Sequence, residues 1–169
     1  MATETARSPV DSRQVQGRRK LRFGSFDEVL ADAAGLHETP HRQIGNWTLG
    51  MVLKHLGNGM IGSVDGKPFP VNRKMKLLGP LVLRPYLLYV RFPSGFKLPR
   101  RAAEVLVPST DVPYDEGLAQ FHAGLARMAE TDQRIAHPVI GRLNAAQWNR
   151  FHLRHAELHL SFLVPEDAR

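Results

Sequence analysis

Three histidines, His152, His155 and His159, lie within eight positions near the C-terminal end, in the stretch FHLRHAELHLSF. Wound as a helix at about 100° per residue, they share a stripe about 60° wide. Trp148, Phe151, Leu158 and Phe162 fall on that same side, while Arg150, Arg154, Glu157 and Ser161 fall opposite. The stripe that carries the aromatics is the one a helix turns to the core. The fold must therefore bury imidazoles, and a buried ring needs partners for its nitrogens. A metal ion is one such partner; carbonyls, hydroxyls and water are the others.

Spacing narrows the choice. His155 and His159 are four residues apart, which brings their Cβ atoms to roughly 5–6 Å. His152 and His155 are three apart and can also converge. His152 and His159 are separated by about 10.5 Å along the axis and are poorly placed to hold one ion. His155 is thus common to either chelating pair, and His152 either orients a ligand or replaces one. A mononuclear catalytic metal site usually takes three protein ligands and keeps one position open. The third must come from elsewhere in the chain. His55 is the best candidate, at the edge of an apolar face made by Leu49, Val52, Leu53, Leu56 and Met60. Gly59 and Gly62 on its flank would leave room for a ligand, and Trp148 and Phe151 would wall the pocket. His122, beside Leu118, Phe121, Leu125 and Met128, is the runner-up; His37, His41 and His137 read as loop residues.

Capping signals delimit four helices. Ser25 with Glu28 forms a capping box and starts the first, which runs to about Leu36. Thr48 or a neighbour caps the second, which ends near Ser63 before the Asp65-Gly66 turn. Asp115 and Glu116 sit in the first turn of the third, where negative charge suits the dipole, and it runs to about Glu130. Asn144 with Gln147 starts the fourth. No stretch alternates with the period of a strand. Four such helices imply an all-α bundle, and the long second connection lets helices two and three run parallel.

The stretches GNWTLGMVLKHL, GFKLP and WNRFHLRHAELHLSF resemble the DinB-like superfamily, in one of its branches of unknown function. The similarity extends from about Arg19 to Pro165. It implies a four-helix bundle and a divalent metal held by a histidine of the second helix and an i,i+4 pair on the fourth. By position these are His55, His155 and His159. Relatives in this branch often carry a histidine two or three residues away, so His152 can stand in for one of the pair. The superfamily includes metal-dependent transferases and isomerases that use a low-molecular-weight thiol, and also members with no known activity.

Composition is compatible with one domain with a proper core, over residues 23–165, behind a disordered basic tail over 1–22. The absence of cysteine excludes disulfides, zinc–thiolate sites and a cysteine nucleophile, so any thiol must arrive with the substrate. No apolar run reaches the ~18 residues of a membrane span. No signal core is evident at the N-terminus, and the expectation is a cytoplasmic protein with no membrane partner. The net charge of +7 is uneven: residues 66–101 hold nine cations and no acid. These cations either rim the surface or draw in an anionic substrate, with Arg84 and Arg91 the best placed to be partly buried.

The leading expectation is a divalent-metal protein, with zinc or nickel best suited to imidazole, acting as a transferase, isomerase or hydrolase on a small anionic or thiol-bearing substrate. The alternative is a non-enzymatic binding or regulatory module whose basic surface meets an acidic partner or nucleic acid. Self-association as a homodimer is compatible with either.

Overall fold

The computed structural model describes residues 9–67, 71–90, 92–95 and 111–166, and among these the chain is mostly helical. Three of the four long helices begin where a side chain accepts from a free first-turn amide, and the fourth carries acidic residues in its first turn. In α1 (Phe26–Glu38), Ser25 Oγ accepts from the Glu28 amide at 3.2 Å, and the Glu28 carboxylate accepts from the Gly24 amide at 2.8 Å. In α2 (Leu49–Asp65), Thr48 caps Met51. In α4 (Tyr114–Ala129), Asp115 and Glu116 occupy the first turn. In α5 (Ala145–Leu160), Asn144 and Gln147 exchange side-chain and backbone hydrogen bonds as a full capping box.

α2 and α4 run parallel. Lys54 pairs with Glu116 at 2.6 Å, Asn58 with Gln120 at 2.9 Å and Asp65 with Arg127 at 2.6 Å, a constant offset of 62 residues. Two glycines on each helix allow this closeness. A Cβ on Gly50 would lie 2.0 Å from the Val112 carbonyl oxygen, and one on Gly57 would lie 2.3 Å from that of Gln120. On the facing helix, a Cβ on Gly117 would meet the Gly50 carbonyl at 2.3 Å. The backbones are in direct contact, and no side chain fits between them.

Two apolar clusters follow. One gathers Val29, Leu36, Leu53, Leu56, Phe121 and Leu160, drawn from α1, α2, α4 and α5. The other gathers Leu88, Val139, Ile140, Leu143, Trp148 and Phe151 at the start of α5. It is covered by the second connection, where α3 (Arg73–Leu78) continues in wider turns over Gly79–Leu83 and Tyr86–Val90.

Two features depart from the sequence reading. Strand β1 (His41–Gln43) pairs antiparallel with β2 (Leu163–Pro165) and ties the C-terminal stretch to the α1–α2 connection. Three residues are too few to show alternation. Residues 9–22, read as part of a disordered tail, make specific contacts instead. Arg19 holds Asp32 through two bonds of 2.6 and 2.7 Å and donates to the Leu160 carbonyl. Arg18 donates to Ser161 Oγ and lies over the Phe162 ring. Cations thus meet the free carbonyl end of α5, where the helix dipole favours them. Among the described residues no helix is long and apolar enough to cross a membrane.

Candidate metal centre

α2 and α5 bring three imidazoles together. His55 Nε2 lies 3.2 Å from His155 Nε2, and His159 Nε2 lies 3.0 Å from the same atom. One ring nitrogen from each of the three residues falls within 4.8 Å of the others. Nitrogens bound to a single ion at about 2.0–2.1 Å sit about 2.9–3.4 Å apart for angles from 90° to tetrahedral. The two separations to His155 Nε2 lie in that interval, and the third pair lies within 4.8 Å, so the trio has the donor set and the closeness to hold a cation once the outer rings draw together. His55 is buried, whereas His155 and His159 are half-buried. Burial pushes His155 and His159 well below the ordinary imidazole value; neighbouring imidazoles push His155 further, and His55 and Arg18 push His159. Both rings are neutral at pH 7 and have a lone pair to donate.

Aromatic rings hold the trio in place. Trp47 stacks on His159 at 4.8 Å with an interplanar angle of 11°, and its centroid lies 4.7 Å from that of His55. Phe92 stacks on His155 at 5.2 Å and meets Phe151 edge-on. Neither Trp47 nor Phe92 was singled out from sequence. Trp47 immediately precedes the α2 cap, a position where an apolar residue commonly folds back over the first turn. Phe92 follows the helical connection, where no periodicity points to it.

The other expected residues divide. His152 lies outside the trio: its buried ring stacks on Trp148, and its Nε2 has no hydrogen-bond partner among the described residues. Burial lowers its pKa to about 3, helped by Arg134 and His137. Trp148 accompanies His152 and His137 rather than the trio, whereas Phe151 reaches His155 at 6.2 Å. Added Cβ atoms on Gly59 and Gly62 would meet nothing within 4 Å, so the flank of His55 is open among the described residues. Arg84 donates to Gln147 Oε1 at 2.8 Å and thereby braces the α5 cap. Arg91 and most of GFKLP lie outside the described residues.

His122 is exposed on α4. His37 is helical rather than in a loop and stacks on Tyr114 at 3.8 Å, and His41 lies in β1. His137 Nδ1 accepts from the amides of Val139 and Ile140, which fixes its tautomer with the proton on Nε2. The expected solvent-facing side of α5 needs correction. Arg154 and Glu157 are buried, 2.8 Å apart, and Glu157 accepts from the Phe23 amide at 2.7 Å. The N-terminal segment covers that side, which periodicity within α5 cannot reveal.

The sequence matches, over residues 15–166, the family described as protein of unknown function (DUF1569). The chain belongs to the DUF1569 family. The match takes in all three converging histidines and every long helix. No curated protein and no solved structure matches this DUF1569 member.

Proposed function

We propose that this protein binds a divalent metal ion on His55, His155 and His159, within a DinB-like four-helix bundle of α1, α2, α4 and α5. The observation that carries this reading is the meeting of three imidazoles from helices 100 positions apart in sequence, two of them 3.0 and 3.2 Å from the nitrogen of the third. Structural zinc sites are usually closed by four protein ligands; the three histidines that converge among the described residues suit a site with an open position for substrate or water. The reaction class is transfer, isomerisation or hydrolysis of a small anionic or thiol-bearing substrate. The chain has no cysteine, so a reacting thiol would belong to the substrate. Zinc or nickel best matches the imidazole set. Once bound, such an ion lends Lewis acidity to a coordinated water, thiol or carbonyl. Trp47 and Phe92 fix the ring planes and limit water at the site.

Elemental analysis tests the reading. Purified protein, incubated with zinc or nickel and desalted, should hold about one equivalent. His55→Ala and His155→Ala should each lose it, and His152→Ala should keep it. Retention by His155→Ala, or an empty wild-type protein with a native circular dichroism spectrum, overturns the assignment. Metal at a hundred times its Kd should also raise unfolding stability by about 2.7 kcal/mol, an increment that a chelator removes.

A further inference from the structure

The second connection carries the largest apolar exposure among the described residues. Leu77 is 71% exposed, Leu81 72% and Val82 61%, and Leu78, Tyr89 and Val90 are also more than half exposed. Leu77 and Leu81 are four residues apart, as are Leu78 and Val82, so these side chains form one stripe. The segment is not loosely placed. Its opposite face buries Leu88 against Trp148 and Phe151, and Gly79 packs so closely that an added Cβ would lie 2.0 Å from the Val139 carbonyl oxygen. Arg84 on Gln147 fastens it further. A firmly seated helical segment thus turns a row of leucines outward. Monomeric proteins seldom leave such a row uncovered unless it meets a partner.

Charge says which partner. Arg73 and Lys74 precede Leu77 and Leu78 at helical spacing, on the same stripe. Arg73, Lys74, Lys76 and Leu77 line a shallow hollow at that end. At the other end Arg22 donates to the Tyr89 and Val90 carbonyls, and the Arg150 guanidinium lies 4.7 Å above the Tyr89 ring. Residues 66–101 contain no acid. A second copy of the chain docked symmetrically on this face would oppose like charges and is disfavoured. Nucleic acid would use the cations and leave the leucines wet. An anionic lipid surface satisfies both, since the leucines enter the acyl boundary while the cations and tyrosines stay at headgroup level.

We infer that the Arg73–Val90 face is a docking surface for anionic lipid bilayers, on which the protein lies without spanning. The expectation of no membrane partner rested on the lack of a spanning run, which does not bear on a protein that lies on the surface. It does not depend on the metal assignment, and the test needs no activity.

The full chain should cosediment with vesicles of phosphatidylcholine mixed with phosphatidylserine, and not with phosphatidylcholine alone. Leu77→Ser combined with Leu81→Ser should weaken binding at least tenfold. Both side chains are exposed, so circular dichroism should be unchanged. Lys74→Gln with Lys76→Gln should weaken binding by roughly fivefold per cation, with the effect shrinking at high salt. Three results would overturn the inference: no binding to anionic vesicles at low salt; binding that ignores the leucine substitutions, which would be electrostatic adsorption; or a dimer in sedimentation equilibrium that the same leucine substitutions dissociate.

Discussion

At the scale of single residues, histidines of one helix meet two environments. His155 and His159 converge on a third imidazole; His152, one turn earlier, faces the apolar cluster with Trp148. The consequence for pH follows from its lowered pKa. Unfolded, His152 takes up a proton near pH 6.5; folded, it resists until about 3. The unfolded state therefore binds more protons through that window, and stability that is complete above pH 6.5 is lost as pH falls. Between pH 6.5 and 5 the loss from this residue is about 2 kcal/mol. Urea unfolding of metal-free protein at both pH values should show it, and His152→Leu should flatten the dependence by that amount. An unchanged slope would mean that His152 shares its burial with water or a partner able to stabilise the charged ring.

At the scale of elements, four glycines of α2 have opposite roles. Gly57 faces α4 with no room for a methyl group, whereas Gly59 meets open space two residues later. Gly57→Ala should therefore lower stability by about 1–3 kcal/mol, by forcing two backbones apart. Gly59→Ala should raise it by about 0.4–1 kcal/mol, since alanine restricts the unfolded chain and favours the helix. Thermal denaturation of the two variants separates these signs; equal effects would deny that the helices touch through Gly57. The contrast also shows what was legible in the sequence. The caps at Ser25, Thr48 and Asn144 mark helix starts because the signal is local, a side chain answering an amide three residues on. The converging of His55 with His155 and His159 was readable from i,i+4 spacing together with a family resemblance. The glycine seam was not, because it exists only between two helices whose pairing no single window contains. Trp47 and Phe92 were missed for a similar reason: each reaches the trio from outside a periodic element.

At the scale of the whole molecule, the N-terminal segment is joined to the helix that bears two of the three converging histidines. Arg154 donates to the Phe23 carbonyl and Glu157 accepts from the Phe23 amide, while the two side chains pair at 2.8 Å. Burial moves each against its charge: the Glu157 pKa is raised and the Arg154 pKa lowered, with desolvation the leading cause in both. Their mutual attraction does not recover what water gave them. The pair is therefore better understood as fixing where residues 18–23 lie than as adding net stability. Glu157→Ala should cost about 3–5 kcal/mol, because it strands a buried guanidinium. Arg154→Met combined with Glu157→Leu should recover most of that loss, short of about 1–3 kcal/mol for the Phe23 groups left unpaired. Hydrogen exchange should then report the specific defect, with faster exchange at the Phe23 amide and across residues 18–23 while the amides of α2 and α4 keep their protection. If the double variant is as unstable as Glu157→Ala, the ion pair is a net source of stability. Unchanged exchange at Phe23 would place the restraint on this segment with Arg18 and Arg19 instead.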